Sequence, residues 1–346
     1  MDLNRKRGKR SMEKQSIMSC ICIVLSLLSA LQGVYPQRTF IVAQDGSGNF
    51  TSTLSQVISA APNYGSMITY IKIRAGIYHE NVFIPKEKIN LHLLGDGMDR
   101  TKISGNRSTN MGFLTFETAT VRIVADGFVT KEITFENTAG VNMNQLVAVT
   151  NEGRYSAFYR CRFLSYQDTL YVRKNIQFFR ECDIYGTVDF IFGDARALFQ
   201  NCNVYACRPR KGRSNTITAQ RRKSDQYLSG IVMQNCTIVA APDLQPRFNV
   251  RTYLGRPWQN YSTTVIMQSF MDKLIDPRGW LERPGHGLDT LFYAEYQNRG
   301  PGANTKNRVK WARTINYPAA KRFTARVFLK GEKWISSTGI PCYLDL

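Results

Sequence analysis

The chain has 346 residues, 43% of them hydrophobic and 21% charged, a composition that excludes wholesale disorder and leaves ample apolar material for a core. Its net charge of +20 calls for a polyanion or marks a merely solvated basic surface. No recognition helix, zinc spacing or single-strand-binding signature accompanies that charge, so nucleic acid is not expected and an acidic polysaccharide fits it as well.

Residues 1–34 read as a signal segment. A basic run from Arg5 to Arg10 precedes the apolar stretch Ile17–Leu31, and small or polar residues follow at Ser29, Ala30 and Gly33. This is the layout of a secretory signal peptide, about 15 apolar residues being short for a membrane span, although a signal anchor has the same outline. Residues 35–346 then form one domain, which keeps +16 of the net charge. A secreted, extracellular protein is the expectation, with sequons at Asn49, Asn106, Asn235 and Asn260 open to glycosylation. Strands are predicted at Thr39–Ala43, Tyr70–Ile73 and Leu91–Leu94, with a short capping helix over Thr53–Ala61.

A repeat follows. Phe158–Phe163, Phe179–Ile184, Phe199–Val204 and Met233–Ile238 each run apolar, two mostly polar residues, cysteine, any residue, apolar. Ile133–Thr138 is an earlier relative with Asn137 in the cysteine's place. A period of 20 to 24 residues with β-branched and aromatic alternation fits one coil of a parallel β-helix, each coil stacking short strands on its neighbour's. The 34-residue step between Cys202 and Cys236 predicts an insertion loop at Arg208–Asp225, and the segment Asp289–Pro301 and the tail read as irregular or short helical packing. The predicted fold is therefore all-β, a right-handed single-stranded parallel β-helix with short capping helices. Cys161, Cys182, Cys202, Cys207, Cys236 and Cys342 match no zinc spacing, so structural pairing or plain burial is expected and no metal or cofactor.

Counting from the repeated cysteine locates the candidate chemistry. Asp168 lies seven residues after Cys161 and Asp189 seven after Cys182, the same place in consecutive coils about 4.8 Å apart. Two like charges so placed push one pKa upward, which makes a general acid and a nucleophile or base out of two identical side chains. Gln167 and, one coil earlier, Gln145 supply neutral N–H donors for an oxyanion. Arg256 and Trp258, in Leu254-Gly255-Arg256-Pro257-Trp258, add a guanidinium to clamp a carboxylate and an indole face for a sugar ring.

From about Arg38 onward the sequence resembles the plant pectin methylesterases. The motifs that carry the resemblance are Gly76-Ile77-Tyr78-His79-Glu80, Gln145-Leu146-Val147-Ala148-Val149, Tyr166-Gln167-Asp168-Thr169-Leu170, Gly186-Thr187-Val188-Asp189-Phe190-Ile191-Phe192-Gly193 and the Arg-Pro-Trp segment above. The resemblance implies hydrolysis of the C6 methyl esters of homogalacturonan in the cell wall, with Asp189 as nucleophile, Asp168 as proton donor and then base, and Gln167 with Gln145 stabilising the oxyanion. It further implies that Arg256 orients Asp189, that Trp258 and Thr115 touch substrate, and that Cys182 pairs with Cys202, Cys202–Cys236 being the alternative by position. It implies a monomer, with wall-borne pectinesterase inhibitors as partners. Many members carry an inhibitor-like N-terminal region that does not match here, so one form of self-inhibition is expected to be lacking. The sequence departs from the family's pattern at Leu146, at Asp194, a third carboxylate expected near the pair, and at Arg173-Lys174, which would favour anionic sugars.

Three rivals bear on that reading. Paired aspartates also suit a polygalacturonase, but the glutamines and Arg-Pro-Trp point to an oxyanion. A serine esterase needs a placed histidine, and only His79, His92 and His286 exist, none near the aspartate motifs. A non-catalytic wall-binding protein would have no use for Asp168, Gln167, Asp189 and Arg256 together.

Overall fold

Each cysteine-marked repeat is one coil that passes through three parallel sheets. A representative coil contributes Ile176–Arg180 to an eleven-stranded sheet A, Asp183–Gly186 to an eight-stranded sheet B and Val188–Gly193 to a seven-stranded sheet C. The next coil repeats the path with Arg196–Gln200, Asn203–Ala206 and Asn215–Gln220. Every pairing between coils is parallel, and the result is a right-handed parallel β-helix, the hand that right-twisted strands favour in crossovers. The computed structural model describes residues 39–48, 53–244, 249–285 and 288–346. The signal segment with Cys20 and Cys22, the sequon at Asn49 and His286 lie outside the described residues.

The corner from sheet A to sheet B explains the repeat. One residue turns the chain there with positive φ: Glu132, Arg160, Glu181, Asn201, Asn235, Gln268 and Gln297, all between 47° and 60°. Such a left-handed residue costs a side-chain-bearing amino acid about 1 kcal/mol or more, a cost met by stacking the same corner coil on coil. The residue after it then points into the core. That is why Cys161, Cys182, Cys202 and Cys236 are fully buried, beside Phe158, Phe179 and Phe199, whose rings stack with centroids 4.7 and 4.4 Å apart.

The cysteines require a correction. Cys182 and Cys202 are separate thiols, as are Cys161, Cys207, Cys236 and Cys342. In-register side chains of parallel strands stand side by side, and Cys202 has Cys182 on one coil and Cys236 on the next. Each thiol hydrogen turns instead to main-chain carbonyls, that of Cys182 to Arg180 and Phe158 and that of Cys202 to Gln200 and Phe179, at 3.4 to 3.7 Å.

The predicted strands and helix fall close to their expected bounds, at Thr39–Val42, Thr69–Ile73, Leu91–Gly95 and Leu54–Ala60, the helix capped by the Thr53 hydroxyl. Two segments differ from expectation. Arg208–Asp225 contains the sheet C strand Asn215–Gln220, and Asp289–Pro301 contains the sheet A strand Phe292–Tyr296. In both, the strand is largely buried where it stacks on the neighbouring coil.

The outer faces of sheets A and C meet different fates. On sheet A the in-register row Val129, Ala157, Phe178, Leu198, Val232 and Val265 is covered by the C-terminal tail through Ala325, Phe328, Leu329, Trp334 and Ile335. On sheet C the corresponding row runs Phe83, Arg122, Thr150, Tyr171, Phe192 and Ala219, and no such tail lies over it among the described residues.

Candidate active site

The site begins with a fault in the sheet C register. Val188 faces Thr216 and Ile191 faces Thr218, so Asp189 and Phe190 together oppose Ile217, which is a β-bulge. Asp189 has φ +51°. Phe190 turns into the core against Gly186, where a Cβ would lie 2.2 Å from the phenyl Cβ; only glycine permits the bulge. The bulge aims Asp189 outward. One coil earlier Asp168 is also left-handed, with φ +66°, and its N–H donates to the Val188 carbonyl at 3.0 Å. Two strained aspartates side by side are the kind of outlier that accompanies a functional site.

Their surroundings differ. Asp189 accepts a two-pronged pair from Arg256, Nε to Oδ1 at 2.8 Å and Nη2 to Oδ2 at 2.6 Å, and a third bond from the Thr216 hydroxyl at 2.6 Å. Gly255 makes this reach possible, because a Cβ there would sit 1.9 Å from Thr218 Oγ1. Asp168 is 8% exposed. Burial raises its pKa well above the usual carboxylate range and the negative charge of Asp189 adds to this, against weaker opposition from Arg256, a hydrogen bond from Gln167, and Arg283. The pair is thus a clamped carboxylate beside a buried carboxyl whose pKa is raised.

All seven side chains singled out in the sequence, Asp168, Asp189, Gln167, Gln145, Thr115, Arg256 and Trp258, line one cleft of about 190 Å³. Gln145 is oriented by Thr109, whose hydroxyl donates to its Oε1 at 2.8 Å, leaving the amide N–H groups as the free end. Trp258 leans over the stacked Tyr171 and Phe192 rings, 4.2 Å apart, at 6.2 and 5.9 Å, and the Arg221 guanidinium lies 4.7 Å from its ring. That is an aromatic platform with cationic edges. Sequence reasoning missed Thr109, Thr216, Phe192 and Arg283. Phe192 was accessible by counting register from the aspartates, whereas the others come from loops or coils whose approach no spacing reveals.

Asp194 is not the third carboxylate of the pair. It lies past the far end of the Asp189 strand, where Ser229 and Tyr227 donate to it at 2.6 and 2.8 Å. Neither His79 nor His92 lines the cleft; His92 is buried in sheet A, its pKa lowered to about 4 by burial and by Lys131.

The sequence profile of the pectinesterase family matches residues 39–332. The chain belongs to the pectinesterase family. A relative from Arabidopsis thaliana, "Probable pectinesterase/pectinesterase inhibitor 17", is 50% identical over 313 residues, which cover 89% of this chain and 60% of the relative. Pectinesterase 2 of Citrus sinensis is 46% identical over 88% of the chain and 60% of its own length. The chain thus spans about 60% of the curated relatives it matches. Among solved structures, pectin methylesterase from carrot superposes with a TM-score of 0.88 at 45% identity, covering 91% of this chain and all of the other. That of Aspergillus niger gives 0.75 at 29% identity over 87% and 96%. A pectin methylesterase solved with a bound hexasaccharide gives 0.71 at 25% identity over 86% and 97%.

Proposed function

We propose that the protein is a pectin methylesterase, hydrolysing the C6 methyl esters of homogalacturonan to methanol and pectate by an aspartate nucleophile and an aspartate acid–base. The observation that carries this reading is the asymmetric pair, a carboxylate fixed by Arg256 and Thr216 beside a buried Asp168 with a raised pKa, within reach of two glutamine amides.

Asp189, held with one face toward the cleft, attacks the ester carbonyl carbon. The carbonyl oxygen becomes an oxyanion, stabilised by amide N–H groups of Gln167 and of Gln145, the latter already oriented by Thr109. Collapse expels the methoxy group, which takes the Asp168 proton and leaves as methanol. Asp168, now ionised, draws a proton from water, the resulting hydroxide attacks the acyl-enzyme, and collapse releases Asp189 and the sugar carboxylic acid, which gives its proton to solvent to leave the carboxylate product. Both aspartates end as they began. Arg256 keeps Asp189 aimed, while Trp258 and Thr115 seat the sugar ring. The basic surface attracts the acidic polymer, and the same reading makes the enzyme a secreted, glycosylated monomer of the cell wall, with pectinesterase inhibitor proteins as partners.

A glycoside hydrolase with paired aspartates would cut the polymer instead. The purified protein and its Asp189→Ala variant are therefore assayed on highly esterified pectin for methanol and, in parallel, for new reducing ends. Methanol that vanishes in the variant with no reducing ends supports the esterase; reducing ends without methanol would overturn it, and neither product would point to a binding protein.

A further inference from the structure

Asp194, one of the departures from the family's pattern, is a carboxylate that the chemistry at the aspartate pair does not use. It follows directly on the strand Val188–Gly193, about 16 Å along extended chain from Asp189, and it does not line the cleft. Both of its oxygens accept hydroxyl bonds, Oδ1 from Ser229 at 2.6 Å and Oδ2 from Tyr227 at 2.8 Å. Burial raises its pKa above the ordinary carboxylate value, while those two bonds and the charges of Arg221 and Lys223 favour the ionised form.

An ionised carboxylate has no hydrogen to give, so it dictates the direction of the bonds behind it. The Ser229 hydroxyl turns its one hydrogen to Asp194 and accepts at its oxygen, where Gln220 Nε2 donates at 3.0 Å. The Gln220 amide oxygen is thereby left to accept the main-chain N–H groups of Arg222 at 2.9 Å and Thr263 at 2.8 Å. Ser229 is 2% exposed and Gln220 fully buried, so a wrongly turned amide would be left without a partner. A group with a hydrogen of its own in place of Asp194 can donate to Ser229, whose hydrogen then turns to Gln220. The flipped amide would set its N–H groups against two main-chain donors.

What Gln220 holds is one wall of the cleft. Its carbonyl accepts the Trp258 N–H at 2.9 Å and the Ser262 hydroxyl, and the Arg222 carbonyl accepts the Tyr261 N–H at 3.1 Å. With the Thr263 bond, residues 258–263 are fastened to this turn at both ends. Between Gln220 and Arg222, Arg221 brings its guanidinium to 4.7 Å from the Trp258 ring. The place of the indole and of its cationic edge depends on the turn at Gln220, and the turn depends on the polarity set at Asp194.

We propose that Asp194 is a positioning residue which, through Ser229 and Gln220, holds Trp258 and Arg221 where they meet the sugar. This rests on the proposed esterase reading, in which Trp258 seats the sugar ring, and extends it to a carboxylate outside the cleft.

The test measures kcat and KM for methanol release from highly esterified pectin by the full protein, by Asp194→Asn and Ser229→Ala, and by each of these combined with Trp258→Ala. Asp194→Asn keeps the shape and removes the charge. It should raise KM about fivefold, the equivalent of one neutral hydrogen bond, with kcat within about twofold because the aspartate pair and its amides are untouched. Ser229→Ala cuts the same chain one bond further on and should give the same rise in KM, so it decides the matter where Asp194→Asn does not fold. In the Trp258→Ala background neither substitution should raise KM further, since the group they position is gone. An unchanged KM in the folded variants overturns the positioning role, and so does a fivefold rise that persists without Trp258, which would mean that the network serves only the fold. Wild-type protein that releases no methanol from any pectin overturns the esterase reading instead, so the two failures are distinct.

Discussion

Asp168 and Asp189 occupy the same step of consecutive coils with the same left-handed backbone, yet one is buried beside a negative charge and the other is gripped by Arg256 and Thr216. Repetition supplies two equivalent positions about 4.8 Å apart; what differentiates them arrives from the coils beyond. Asp189 is followed by a strand that brings Thr216 and by another that brings Arg256 over Gly255, whereas the coil on the other side of Asp168 offers the Gln145 amide. The division of labour is thus built by neighbours. Exchanging one neighbour should erase it.

The most severe break of the asymmetry removes the clamped member. Asp189→Ala should lower kcat for methanol release by about a thousandfold or more, since no other described residue of the cleft presents a fixed carboxylate to the carbonyl. A variant that kept a tenth of the activity would show that Asp189 is not the nucleophile. Next in size is Arg256→Lys, which keeps the charge and loses the fork. A single ammonium cannot make both the 2.8 and the 2.6 Å contacts in the plane of the carboxylate. The expected loss is about a hundredfold, most of it in kcat, with KM little changed; a loss confined to KM would mean that Arg256 serves the substrate and not Asp189.

How much of this was legible in the chain follows from the same contrast. Positions set by the repeat could be counted: the cysteine step put Asp168 and Asp189 in register, and the alternating segments became strands. The bulge at Asp189–Phe190 could not be counted, because it depends on Gly186 leaving room for a phenyl ring in three dimensions. Thr216 was hidden inside a segment whose Arg, Lys, Gly and Ser run reads as loop, although its Asn-Thr-Ile-Thr-Ala-Gln core is a strand. The Cys182–Cys202 bridge was expected by resemblance, while the coil stacking puts a third thiol, Cys236, in the same file.

A smaller effect, opposite in sign for the two carboxyls, concerns stability. A carboxyl whose pKa is raised by folding holds its proton where the unfolded chain has lost it. Its stabilising contribution is complete below the unfolded value of about 3.9 and is lost as pH rises through the folded value. Asp168 is of this kind. Asp168→Asn should therefore have a higher Tm than the parent at neutral pH, with the gap closing as pH falls below about 4. Asp189→Asn should melt below the parent at neutral pH, because it strands the partly buried Arg256 guanidinium in the cleft wall without its counter-charge. Thermal scans of both variants between pH 3 and 8 decide it; the same sign for both would remove the electrostatic distinction between the two positions.

The mildest test reaches the oxyanion side of the cleft. Thr109 orients Gln145 by donating to its amide oxygen, so that the N–H groups need not be turned toward the substrate at the moment of reaction. Thr109→Val keeps the volume and removes the donor, releasing the amide to sample the flipped state in which its oxygen faces the developing negative charge. One neutral hydrogen bond contributes about 1 kcal/mol, which corresponds to a fall of about fivefold in kcat, with KM and Tm nearly unchanged. Thr109→Ser, which restores the hydroxyl, should recover most of that loss. If the serine variant is as slow as the valine one, the residue acts through packing, and the orientation of Gln145 is set by the cleft wall rather than by this bond.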